Sequence, residues 1–160
     1  MRQYIDVILG RIVVIVMSLL VIDVLLQVAT GFFFSESNPF TFTGELAEFL
    51  LIWVGLLGAA YASGKKQHLA IQIMNNRMSD IRRKRLSILV NFLILLFAVL
   101  ILIIGGSRFV IINIKLEQIS SAIRIPMWYV YTVLPLSGLF ISYYAVDDIF
   151  KAGGSQIAVK

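Results

Sequence analysis

The sequence has 160 residues, of which 59% are apolar and only 14% are charged. Soluble domains have roughly 45–50% apolar and about 25% charged residues, so this composition excludes an ordinary water-soluble domain and predicts an integral membrane protein. The net charge is +5, and the basic residues cluster in one connecting segment, which fits membrane topology better than nucleic-acid binding. The lack of cysteine excludes disulfides and thiolate metal sites.

The first apolar stretch, from Ile12 to about Phe34, is longer than the core of a signal peptide. We therefore expect a retained transmembrane helix over residues 5–34. Asp23 lies near its middle, where an ionised carboxylate costs about 3 kcal/mol or more to insert. We interpret Asp23 as a polar contact to a neighbouring helix, with Gln27 as a candidate partner, or to another subunit. A proton or cation site is less favoured, because it needs several converging polar groups.

The second stretch, residues 45–63, begins with Glu45 and Glu48 on one face of a helix. We interpret this pair as helix stabilisation plus subunit contact rather than as an acid–base pair or a cation site. Small residues then follow, and these allow another helix to approach closely, either within the chain or from a partner. The candidates for a partner-subunit interface are Asp23, Glu45, Glu48, Trp53, Gly55, Gly58, Ala59 and Ala62.

A dense basic cluster separates the second and third stretches. It comprises Lys65, Lys66, Arg77, Arg82, Arg83, Lys84 and Arg85, whereas the first connection, residues 32–44, has no basic residue. By the positive-inside rule, the cluster lies in the cytoplasm at the membrane surface, and both termini are cytoplasmic. His68, the only histidine, is interpreted as a solvated loop residue, so neither a haem nor a metal site is expected.

The third and fourth stretches predict helices over residues 86–107 and 127–149. Pro126 marks the turn into the fourth helix, which opens with the aromatic residues typical of a membrane interface. The predicted fold is all-α, a single domain over residues 1–160 with four transmembrane helices. A flexible tail is expected at residues 152–160.

Both long connections also contain apolar residues at helical spacing. In the third connection these residues run from Ile112 to Ile123, and the stretch Leu69 to Met78 is similarly half apolar. We therefore expect amphipathic segments at the membrane interface in both loops.

Two sequence blocks resemble the small membrane subunit of tripartite ATP-independent periplasmic (TRAP) transporters. The first block runs from Gly44 to Ala60 and is followed by residues 65–71 and the basic cluster. The second block comprises residues 120–128, with Tyr131 and Pro135. Together with the four-span layout, the resemblance covers nearly the whole chain.

The resemblance implies partners rather than a reaction. In that family a large membrane subunit carries the substrate and sodium sites and moves, while a periplasmic binding protein delivers an organic acid such as sialic acid or a C4-dicarboxylate. We therefore expect a non-enzymatic scaffold subunit of the bacterial inner membrane, with no cofactor. Its expected partners are the large transport subunit, the binding protein and phospholipid.

Two alternatives come from other functional classes. The first is a self-assembling small channel or transporter, in which several copies of Asp23 line a pore. The second is a membrane enzyme, which is disfavoured because the sequence shows no nucleophile–base pair and no metal-ligand set.

Overall fold

The structure, a computed structural model, describes residues 2–33, 42–74 and 80–154, without the side chains of residues 66–74, 80, 81, 83, 84 and 152–154. Within these ranges the chain forms helices and no strand. The helices are α1 (Arg2–Phe33), α2 (Phe42–Met74), α3 (Asp80–Phe97), a π-helix (Ala98–Gly105), α4 (Gly106–Lys115), α5 (Met127–Tyr131) and α6 (Val133–Gly154).

Among the described residues, four helical stretches are long and apolar enough to cross a membrane. They are Arg2–Phe33, Phe42–Lys65, Arg85–Lys115 and Met127–Lys151. The predicted all-α fold with four membrane-spanning helices is thereby confirmed, while the orientation of the termini stays a prediction. Most large apolar side chains of α1 are exposed. This is expected of a helix that contacts lipid hydrocarbon or another membrane protein.

The third span is longer than its uncharged stretch. The π-helix joins α3 directly to α4, so the helix continues to Lys115. Residues 116–126 form turns, and the amphipathic helical segment predicted up to Ile123 is therefore wrong from residue 116 onwards. The helix ends because Glu117 adopts a left-handed conformation, with φ of 48°. The other expected segment was Leu69 to Met78. Its residues 69–74 belong to α2, and its residues 75–78 lie outside the described residues.

The chain divides by its internal contacts into two compact units. The first unit comprises Met1–Gly58 and Arg108–Val133, and the second comprises Ala59–Ser107 and Leu134–Lys160. The single domain predicted from the sequence stays a prediction.

Glycines allow close helix approach in the second unit. Tyr144 is fully buried, and a Cβ on Gly64 would lie only 2.8 Å from Cζ of its ring. A Cβ on Gly138 would lie 2.8 Å from Cβ of Leu102 and 2.9 Å from Cγ1 of Ile103. Real Cβ atoms do not approach so closely, so this packing requires glycine at both positions.

Candidate functional site

The main polar cluster of the first unit surrounds Glu45, in the first turn of α2. Its Oε1 accepts a hydrogen bond from the backbone N–H of Ser121 at 3.0 Å. Its Oε2 accepts from the N–H groups of Ala122 at 3.0 Å and Ile123 at 3.1 Å. The hydroxyls of Ser120 and Ser121 also donate to this carboxylate. Five donors that lie 75 to 78 residues further along the chain therefore converge on one side chain.

A carboxylate suits this arrangement of donors. Successive N–H groups that point into one concavity form an anion-binding nest, and an ionised carboxylate offers two acceptor oxygens and no competing donor. Charge-assisted bonds of this kind are roughly twice as strong as neutral ones. Glu45 therefore fastens the start of α2 to the loop before α5, in addition to its favourable position at the positive end of the helix dipole.

The loop of residues 116–126 is also closed on itself. The N–H of Met127 donates to the carbonyl of Gln118 at 2.9 Å, and the N–H of Ser120 donates to the carbonyl of Ile125 at 3.0 Å. These two bonds tie its ends together like a short hairpin. The loop therefore has a defined backbone although it contains no regular helix.

Two residues of this loop have left-handed backbone conformations. They are Glu117, with φ of 48°, and Arg124, with φ of 57°. Positive φ is uncommon outside glycine, and it persists where surrounding contacts fix the backbone. The hydrogen bonds to Glu45 and within the loop supply those contacts.

Trp53 makes a second connection between α2 and the fourth span. Its Nε1 donates to the carbonyl of Val130 at 3.2 Å. That carbonyl is near the end of α5, where the last carbonyls of a helix lack intrahelical donors. Beside it, the ring of Tyr131 packs edge-on against Phe109, with ring centroids 4.6 Å apart.

We expect Trp53→Phe to lower the free energy of unfolding by about 1 kcal/mol, because phenylalanine keeps an aromatic ring but cannot donate to Val130. The thermal unfolding temperature of the detergent-solubilised chain measures the loss. Trp128→Phe is the matched control, since the indole N–H of Trp128 has no hydrogen bond among the described residues. An equal loss in both variants would show that ring size, not the hydrogen bond, matters.

Asp23 is buried in α1, with 5% of its surface exposed. Its Oδ2 accepts no hydrogen bond from the described residues. Gln27 is exposed, and its Nε2 would lie 3.5 Å from a Cβ built on Gly44, so α1 and α2 are close there. The expected contact between Asp23 and Gln27 is thus not formed at Oδ2, and a contact with another subunit stays a prediction.

The remaining interface candidates lie along α2. Glu48, Gly55 and Ala59 are exposed, while Gly58 and Ala62 are half-buried. A Cβ at Gly55 or Gly58 would meet no atom within 4 Å. Packing among the described residues therefore does not require glycine at these two positions.

The basic cluster is described only in part. Lys65, Arg82 and Arg85 are exposed, and Nζ of Lys65 lies 5.6 Å from the ring centroid of Tyr61, within the range of a cation–π contact. The side chains of Lys66, His68, Arg77, Arg83 and Lys84 lie outside the described residues.

Sequence reasoning singled out Glu45 but missed its partners. The serines and backbone N–H groups of residues 120–123 carry no catalytic or metal-binding pattern, and they contact Glu45 only through the fold. One signal was available, since Glu45 and Trp53 lie in the first resembling block and their partners lie in or beside the second. The structure brings these two blocks together.

Comparison with known proteins gives one family match. The family model described as "Tripartite ATP-independent periplasmic transporters, DctQ component" matches residues 15–152. That range includes both blocks and the whole Glu45 cluster. No curated protein matches the chain.

Proposed function

This chain belongs to the DctQ component family of tripartite ATP-independent periplasmic transporters, and from that premise we propose that it is the static scaffold of a sodium-coupled organic-acid transporter. Family membership implies two protein partners, a large membrane subunit and a substrate-binding protein. The scaffold anchors the large subunit in the bacterial inner membrane, with its termini in the cytoplasm. It carries no substrate site and catalyses no reaction.

The observation that carries the proposal is the family match over residues 15–152. The chemistry of the described residues supports it. The five donors that converge around Glu45 are satisfied by that carboxylate, so the cluster binds the chain to itself and not to a solute. α1 buries only Leu9 and Asp23 among its 32 residues, which leaves a large apolar surface for lipid or for a second membrane protein.

Purification from native membranes in mild detergent tests the proposal. We expect a much larger membrane protein to co-purify with the tagged chain in a fixed ratio. Vesicles that contain both subunits should accumulate an organic acid only with the binding protein and a sodium gradient present, and vesicles with this chain alone should accumulate none. A homogeneous preparation of the chain alone, or solute uptake by it, would contradict the scaffold role.

The contact with the large subunit belongs on the exposed face of α2 that carries Glu48, Leu51 and Gly55. All three residues are exposed and recur at helical spacing. A glycine on an exposed transmembrane face allows a partner helix to approach its backbone closely, and a carboxylate on the same face can accept a hydrogen bond from a partner protein, which lipid hydrocarbon cannot donate.

We expect Gly55→Leu to reduce co-purification of the large subunit by about tenfold, because overpacking an interface typically costs 1–3 kcal/mol. The amount of this chain in the membrane should not change, since no described atom lies within 4 Å of the new Cβ. Quantitative pull-down from solubilised membranes measures both. Gly31→Leu is the control, because Gly31 is equally open but lies on α1. Loss of the partner in the control alone would move the interface to α1.

A further inference from the structure

We propose that the second unit holds a binding site for one anionic phospholipid, with an acyl chain in a groove between α2 and α3 and the lipid phosphate on Arg82. The proposal requires only that the chain spans a membrane. It therefore does not depend on the scaffold role.

The groove is formed by three helices of the second unit. It has a volume of about 360 Å³, within the range of small-molecule sites, and is lined by Ala59, Ser63, Leu93, Ile94, Phe97 and Ile141. The two lining residues of α2 are small and one turn apart, so α2 contributes little side-chain volume there. Apart from Ser63 the lining residues are apolar, which suits a hydrocarbon ligand.

A strip of exposed side chains on α3 leads from Arg82 to this groove. Arg82, Leu86, Leu89 and Leu93 recur at spacings of four, three and four residues, so they share one face of the helix, and all four are exposed. Eleven residues of helix rise about 16 Å in close to three turns. Half of a bilayer core of about 30 Å is about 15 Å. An acyl chain whose phosphate lies at Arg82 therefore reaches the groove at Leu93.

Arg82 lies where a lipid phosphate is expected. The third span begins at Arg85, so Arg82 is one turn outside its apolar part, and both arginines are exposed. Neither forms an ion pair with a residue that the structure describes. A guanidinium can form a planar, two-bond contact with a phosphate, and basic residues at the membrane surface attract anionic lipids.

The large subunit is the competing occupant, because Ala59 is also among the predicted interface residues. Two observations favour lipid. Packing of a partner helix in a membrane relies on small residues that let the backbones approach, whereas α3 lines the groove with Leu93 and Phe97. In addition, a basic residue followed along one face by apolar residues matches the order of phosphate and hydrocarbon in a phospholipid.

The test uses the complex of this chain with the large subunit in lipid nanodiscs. The nanodiscs consist mostly of phosphatidylcholine with a minor share of a probe, which is phosphatidylglycerol with a photoreactive group near the end of one acyl chain. Mass spectrometry of the peptides maps the labelled residues after illumination. We expect labelling at the groove residues of α2 and α3 to exceed that on the exposed face of α1. A phosphatidylcholine probe with the same photoreactive chain should label the groove less.

Arg82→Ala tests the phosphate contact. We expect labelling of the groove by the phosphatidylglycerol probe to fall about fivefold, the usual effect of one basic residue on anionic-lipid binding. Arg82→Lys should lose less, because it keeps the charge without the two-bond geometry. Arg108→Ala removes an exposed arginine of α4, in the same span, and should label like the wild type.

Ala59→Phe tests the groove itself. The ring occupies space that the acyl chain needs, so we expect most of the groove labelling to disappear although Arg82 is present. Ala29→Phe makes the same change at an exposed position of α1 and should leave groove labelling unchanged.

Three results would overturn the proposal. They are equal labelling of the groove by the two probes, groove labelling that Arg82→Ala leaves unchanged, and groove labelling that appears only after the large subunit is removed. The last would show that the large subunit fills the groove. If the chain purifies without a large subunit, the scaffold proposal fails, and the same measurement on the chain alone still tests the lipid site.

Discussion

Replacement of Gly138 by leucine is expected to prevent native packing of the second unit. A Cβ at this position would lie 2.8 Å from Cβ of Leu102 and 3.2 Å from the backbone nitrogen of Ile103. Both atoms are held by the backbone of the π-helix, so no side-chain rotation relieves the overlap. Extra methylenes in a packed core typically cost 1–3 kcal/mol, and leucine adds four carbons, so we expect a loss above about 3 kcal/mol. Much lower levels of folded chain in membranes, and loss of the monodisperse peak in gel filtration, would show it.

Alanine variants give the matched comparison. Gly138→Ala should still lower the unfolding temperature, although alanine favours a helix over glycine by about 1 kcal/mol. Gly105 lies in the π-helix against which Gly138 packs. In Gly105→Ala, the new Cβ would make only an ordinary contact, 3.5 Å from the carbonyl oxygen of Leu100. We expect it to be tolerated or slightly stabilising. Equal destabilisation by the two alanines would refute the steric argument.

This comparison shows why the sequence identified small residues but not their roles. Gly55, Gly58 and Gly138 all lie in apolar stretches, and composition gives each the same capacity for close helix contact. In the fold, Gly138 lies against Leu102, whereas Gly55 and Gly58 have open space around them. The neighbour of a glycine depends on helix placement, which a pattern along one helix does not contain.

The number of spans could be predicted because hydrocarbon imposes a minimum length on each helix. The residue at which the third span ends could not be predicted. The uncharged stretch predicted an end at residue 107, yet Arg108 and Lys115 both lie within α4, which ends at Lys115. Long basic side chains near a helix end can extend to the membrane surface, so a charge there does not terminate the helix. The helix ends instead just before the left-handed residue Glu117, and the composition of the sequence does not reveal a conformation of that kind.

The partners of Glu45 were unpredictable for a related reason. Periodicity describes contacts within one or two turns, but the donors to Glu45 lie 75 to 78 residues away. They include three backbone N–H groups, which every residue except proline possesses. The sequence therefore identified the acceptor, since a glutamate at a helix start is conspicuous, and left its donors unidentified.

Glu45→Ala is expected to release the 116–126 loop from α2. Without the carboxylate, the N–H groups of Ser121 and Ala122 lose their acceptor, and the N–H of Ile123 keeps only a 3.3 Å bond to Oγ of Ser120. Alanine is too short to offer another acceptor. The amide hydrogens of these three residues should then exchange with solvent about tenfold faster or more, since exchange follows the local opening that the carboxylate opposes. Hydrogen exchange on the complex in nanodiscs measures this directly.

Glu48→Ala is the appropriate control for that experiment. It removes the same charge one turn further along α2, from an exposed side chain. If the two glutamates acted only on the helix dipole, both variants would loosen the start of α2. The loop amides would then exchange at the same rate in the two variants. If Glu45 fastens the loop, only its loss accelerates exchange at residues 121–123, while exchange within α4 stays as in the wild type. Unchanged loop exchange in Glu45→Ala would show that the bonds within the loop are sufficient to fix it without Glu45.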